Sequence, residues 1–127
     1  MNDKIANLKV EPNDSVKWDF NGAQISKPFK GDVFAYYVEP LNEVLVLADS
    51  DLVGPNNIYI YSSDGSLRLN PPMPKLNSNV NGVYAIWYIP GELKQEAILL
   101  TDEFSPYDAG CTFNIRDGLF SDFHPSK

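Results

Sequence analysis

Cysteine and histidine are nearly absent from this 127-residue chain, which has one of each, Cys111 and His124. A lone cysteine closes no internal disulfide, and a single histidine leaves most acid–base schemes without their commonest player. There is no CxxC pair, no glycine-rich phosphate loop and no nucleophile elbow. No run approaches the roughly 18 apolar residues that a membrane span needs. The amino terminus, MNDKIANLKVEPND, has neither the basic start nor the apolar stretch of an export signal, so a cytoplasmic protein is expected. Helices are not expected either: no amphipathic stripe of period 3.6 survives eleven residues without a proline or glycine.

Hydrophobic residues make up 43% of the chain and aromatics 13%, too much for a disordered segment. One domain over residues 1–127 is expected, able to remove roughly two-thirds of its unfolded surface from water. The net charge of -7 is unevenly placed. Residues 1–30 hold five lysines against four acids, whereas residues 31–127 hold thirteen acids against five basic residues. Such a surface repels nucleic acid and anionic membranes and attracts basic proteins.

The chain repeats itself. Val33–Pro40 (VFAYYVEP) is echoed by Val83–Pro90 (VYAIWYIP). After a spacer three residues longer, Val44–Asp49 returns as Ala97–Asp102, Asp64-Gly65 as Asp117-Gly118 and Pro72 as Pro125, all at one offset. A period of this length marks a supersecondary unit used twice, each copy covering its neighbour's apolar face. Val33–Val38 and Val83–Tyr88 are β-branched and aromatic runs closed by proline, the first strands of each unit. Val44–Ala48 and Ala97–Thr101 are continuous apolar runs, expected to be central strands covered on both faces. Ile58–Tyr61 alternates, with its tyrosine face expected to be half exposed; its counterpart turns Cys111, Phe113 and Ile115 inward. The Asp-Gly pairs supply tight turns into short fourth strands at Leu67–Leu69 and Leu119–Phe123.

Each unit therefore reads as a four-stranded antiparallel meander, over residues 31–72 and 82–125. Residues 1–30 form a partial third unit, in which Val16–Phe20, Asn21-Gly22 and Ala23–Ser26 look like a closing hairpin and Ile5, Leu8 and Val10 mark an earlier strand. Asn70–Gly82, with three prolines, is a connector. In strand order and turn placement the meander resembles a β-propeller blade, which implies an all-β, open propeller-like stack or sandwich. Two chains completing a ring, as a homodimer, and a β-trefoil are the alternatives. The Trp18-Asp19 dipeptide lacks the preceding Gly-His pair of tryptophan-aspartate blades and carries no weight.

Cys111, His124 and Asp122 have the residue types of a nucleophile, its base and an orienting carboxylate. The repeat instead aligns Cys111 with Ile58, an inward position, so no catalytic residue is expected and the protein is not read as an enzyme. Asp49 and Asp51 with Asn56, and Asp102 and Glu103 with Asp108, offer oxygen ligands without the spacing of a calcium loop. No metal or cofactor is expected, and Asp49 and Asp102 read as caps of strand ends. In a meander, the loop between strands two and three opens at the same end as the connector. One rim should thus gather Asp49, Asp51, Asp102, Glu103 and Asp108 around Phe104 and Tyr107, with Met73 and Leu76 from the connector. Aromatic anchors ringed by charge suit a protein partner. The expected function is a non-enzymatic module that docks a basic protein, in the manner of a small acidic inhibitor or immunity protein against a nuclease toxin. The alternative is a sugar-binding module using Tyr59, Tyr61, Asn56 and Asn57, although Asn56-Asn57 becomes Ala109-Gly110 in the second unit.

Overall fold

Three antiparallel meanders follow one another along the chain in the computed structural model, which describes residues 3–126. The first holds β1 (Ala6–Glu11), β2 (Ser15–Phe20) and β3 (Ala23–Pro28), in the order β1-β2-β3. The second holds β4 (Phe34–Val38), β5 (Glu43–Leu47), β6 (Ile58–Tyr61) and β7 (Leu67–Leu69). The third holds β8 (Val80–Trp87), β9 (Lys94–Thr101), β10 (Asp108–Asn114) and β11 (Phe120–Ser126). Both four-stranded sheets pair each strand with the next in sequence, so the offset seen in the sequence repeats a whole sheet. No sheet closes on itself. The trefoil alternative, which gathers strands from all its units into one barrel, falls away.

Boundaries differ where polar residues occupy strand ends. β8 starts at Val80, so the last residues assigned to the connector, Val80–Gly82, are strand. β9 starts at Lys94 and β11 runs on to Ser126. Apolar runs mark only part of a strand, while the hydrogen-bond ladder continues through exposed Lys94 and Glu96 and buried Gln95 regardless of their polarity. Two short helical turns also appear: a 3₁₀ turn at Glu39–Leu41 and α1, the single turn Ser50–Val53. Asp49 makes α1 possible. Its Oδ1 accepts the Asp51 N–H at 3.0 Å, so it caps a helix rather than a strand end.

The sheets stack in sequence order. All five residues of β5 are buried, because its alternate faces feed two cores. Leu45 and Leu47, with Ile58 and Ile60, pack against Val83, Ile86, Ala97, Leu99, Cys111 and Phe113 of the third sheet. Val44, Val46 and Tyr61 pack against Val16, Trp18 and Phe29 from the first. On the tyrosine face of β6, Tyr61 is buried beside Trp18, at 5.9 Å between rings, while Tyr59 stays partly exposed. Each large side chain so buried contributes roughly 1.5–3 kcal/mol. β9 is different. Ala97 and Leu99 join the core, whereas Ile98, on the third sheet's outer face, belongs to neither cluster and is nonetheless buried.

Polar staples join the layers at both ends of the stack. At the end opposite the long loops, Asn42 Oδ1 accepts the Ile5 N–H and the Tyr37 hydroxyl, tying the first sheet's entry to the second. Arg68 holds the nearly buried Glu43 through Nε at 2.7 Å and donates to the carbonyls of Ile115 and Arg116 in the third sheet. Tyr88 stacks on Tyr36 with 4.6 Å between centroids and donates its hydroxyl to Tyr37 O, while burial pushes its pKa up to about 12. Among the described residues no helix is long and apolar enough to cross a membrane.

Candidate functional site

Long loops and connectors meet at one end of the stack, as the meander topology requires. The Asn56 side chain accepts the Met73 N–H, and Glu103 accepts both the Ser78 N–H at 2.7 Å and the Asn77 amide at 3.1 Å. The connector thus runs bonded from the β5–β6 loop to the β9–β10 loop. Within that end, the edges of β4 and β8 enclose a cleft of about 690 Å³. Asp32, Asp49 and Asp51 line it together with Phe34, Tyr36 and Tyr84. Phe34 and Tyr84 are 53% and 67% exposed.

Two glycines let the chain come this close. A side chain on Gly31 would place its Cβ 2.5 Å from Asp49 Oδ2, so only glycine allows the entry to β4 to lie against that carboxylate. Gly82, also at positive φ, would meet Ser50 Cβ at 2.9 Å, so it seats α1 on β8. Asn57 then locks the arrangement. It is 1% exposed; its Nδ2 donates to Ala48 O and Val83 O, and its Oδ1 accepts the Val83 N–H, all at 2.9 Å. Every buried side-chain nitrogen and oxygen among the described residues has a partner.

The acidic rim expected from the sequence divides. Asp49 and Asp51 lie in the cleft, joined by Asp32, which the sequence reading missed. Asp32 sits in the short connector before β4, where neither repeat nor motif marks it; only the topology that brings both connectors to one end does. Asp102 and Tyr107 are exposed on the neighbouring β9–β10 loop and Asp108 at the start of β10, all outside the cleft lining. Glu103 is spent on the connector, and Phe104 is half-buried against the core between the second and third sheets. No group of three His, Cys, Asp or Glu side chains able to hold a metal occurs among the described residues.

Other constellations come apart. Cys111 and His124 lie on opposite faces of the third sheet: Cys111 is 1% exposed in the core, whereas His124 stands opposite Gly110 with its ring over that glycine. Burial, with a smaller contribution from Glu96, pushes the Cys111 thiol up to about 12, which suppresses thiolate at neutral pH. Native protein should therefore resist thiol reagents and label only as it unfolds, and Cys111→Ala should cost about 1–2 kcal/mol. Rapid labelling of folded protein would show that the third sheet opens. The residues weighed for sugar binding are structural: Asn57 and Tyr61 are buried, Asn56 holds the connector, and Tyr59 packs edge-on against Phe29 at 5.3 Å. Comparison with family models, with curated proteins and with solved structures yields no match.

Proposed function

We propose that this protein is a non-enzymatic binding module that docks a basic protein through the cleft between β4 and β8, in the manner of a small acidic inhibitor or immunity protein against a nuclease toxin. The observation that carries this reading is the placement of Asp32, Asp49 and Asp51 beside Phe34 and Tyr84 around one concave mouth. A lysine or arginine entering the mouth gains carboxylate partners and aromatic faces together, the latter worth roughly 0.5–2 kcal/mol by cation–π attraction. The net charge of -7 draws such a partner in from a distance. The exposed Asp102 and Asp108 extend the field beyond the mouth.

The test is the association rate with immobilised basic nuclease domains, measured at low and high salt. Asp32→Lys with Asp51→Lys should slow association about tenfold or more without unfolding the protein, because both side chains are exposed and neither caps α1. Asp102→Lys with Asp108→Lys should have the smaller effect, since these acids steer without lining the cleft. Undiminished association by the cleft variant would move the binding surface elsewhere.

A further inference from the structure

A sheet leaves a row of unpaired backbone groups along each edge, and edge strands ordinarily carry a guard against further pairing. β1 holds Lys9 and a register break between Ala6 and Lys9, and β3 ends in Lys27 and Pro28. β7 is three residues long, β8 breaks register twice, and β11 contains Pro125 and a break of its own. β4 has none of these. It holds no proline, glycine or charge, and its pairing with β5 runs unbroken from Phe34 to Val38. The phase of the ladder identifies the groups left over. The Ala48 N–H donates to Asn57 O, so Val44, Val46 and Ala48 turn their backbone groups to β6, while Glu43, Leu45 and Leu47 turn theirs to β4. Phe34, Tyr36 and Val38 pair with those three, which points the N–H and C=O of Ala35 and Tyr37 away from β5. The Tyr88 hydroxyl takes one of them, Tyr37 O, at 2.8 Å. The Ala35 N–H and C=O and the Tyr37 N–H meet no partner among the described residues, and both residues are partly exposed.

We infer that the free edge of β4 takes up an extended segment of the basic partner as an added antiparallel strand, in which basic and apolar residues alternate. This rests on the reading that a basic protein docks here, and adds how it is held. The alternation follows from the two faces of β4. Asp32, Phe34 and Tyr36 line the cleft together with Asp49, Asp51 and Tyr84, so side chains on that face of an added strand meet carboxylates and aromatic rings. Val33, Ala35 and Tyr37 turn to the first sheet, where they join Leu8 and Val10 as partly buried apolar groups around the core. The alternate residues of the segment face that side. Charge also disfavours a second copy of this chain as the occupant. Gly31–Asp51 contains no lysine or arginine, and Asp32 and Glu39 stand just beyond the two ends of β4. Two copies paired along this edge would bring acid against acid in either strand direction, whereas a basic segment meets opposite charge at both ends.

The probe is an octapeptide of alternating lysine and valine, titrated into the full chain at low salt. Directly paired residues share a face, so the residue that exchanges bonds with Ala35 is a valine. N-methylation of the valines should therefore weaken binding about tenfold or more, since it removes the donor to Ala35 O and sets a methyl group between the strands. N-methylation of the lysines, on the edge turned to solvent, should leave binding within about twofold. Amide exchange at Ala35 and Tyr37 should slow on binding, while Phe34 and Tyr36, already bonded to β5, stay unchanged. Ala35→Pro removes one free N–H and no ladder bond, so it should fold and bind about tenfold more weakly; the methylated peptides decide the matter if it does not fold. Equal binding of the two methylated peptides overturns strand addition, as does exchange at Ala35 and Tyr37 that stays fast, undiminished binding by folded Ala35→Pro, or no binding of the parent peptide. Should basic nuclease domains still associate in that event, only the added strand falls; should they fail as well, the docking reading falls with it. A dimer of the chain that Ala35→Pro dissolves would overturn the choice of occupant.

Discussion

Replacing Asn57 with alanine is expected to lower stability by about 3–5 kcal/mol, enough to threaten a fold whose total is about 5–15 kcal/mol. The side chain is shut away from water, and its loss strands three backbone groups: the N–H and carbonyl of Val83 and the carbonyl of Ala48. Each orphan costs roughly 1–3 kcal/mol for as long as it stays out of water. The urea midpoint should fall with an unchanged slope. Asn57→Asp separates the hydrogen bonds from the volume. It keeps the shape but aims carboxylate oxygen at two carbonyls, so the folded state prefers the protonated acid and the folded-state pKa lies above the unfolded one. Stability is then present at low pH and lost as pH rises through the folded pKa, the sign opposite to a paired surface aspartate. Alanine should show no such dependence. A fall of less than about 1 kcal/mol for Asn57→Ala would mean that solvent enters between the loop and β8.

Asn57 also shows where the sequence stops being informative. Its repeat counterpart is Gly110, so the repeat argues against it as a shared feature, and its weight comes from contacts with Ala48 and Val83 that no local pattern encodes. The strands, by contrast, were legible because period-2 burial and Asp-Gly turns are local properties. Strand order, the inward Cys111 and the double coverage of β5 followed from them. β9 carries the same continuous apolar run as β5 and is likewise buried through Ala97, Ile98 and Leu99, but Ile98 joins neither core between sheets, since hydrophobic patterning records that a face is apolar and not what covers it. The rim was half legible for a related reason. Topology placed both loops at one end, but side-chain commitments decide which acids remain available: Glu103 turns to Ser78 and Asp49 to its own helix, while Asp32 arrives from a connector.

Trp18→Ala should produce the other large effect, about 3–5 kcal/mol, and it should be felt unevenly along the chain. Trp18 is the largest fully buried side chain, with Tyr61 beside it and its Nε1 donating to Ser63 O at 2.8 Å. Its indole sits at the centre of the core between the first and second sheets, with Val16 and Phe29 on one side, Val44, Val46 and Tyr61 on the other, and Phe20, Ile25 and Tyr59 partly buried around them. The core between the second and third sheets is separate and richer, drawing on Leu45, Ile58, Ile60, Phe113 and Ile115. In a stack where each unit leans on its neighbour, damage at one interface loosens the terminal unit first. Amide hydrogen exchange should therefore accelerate across β1, β2 and β3, while β9 and β10 keep most of their protection. Trp18→Phe retains a ring against Tyr61 but abandons Ser63 O, and should fall between the two with a cost of about 1–2 kcal/mol. Release of the first sheet bares Val44 and Val46, so the alanine variant should also aggregate more readily at high concentration. Equal loss of protection in all three sheets would defeat this account, because it would mean that the stack unfolds as one unit and that the two cores are a single cooperative body.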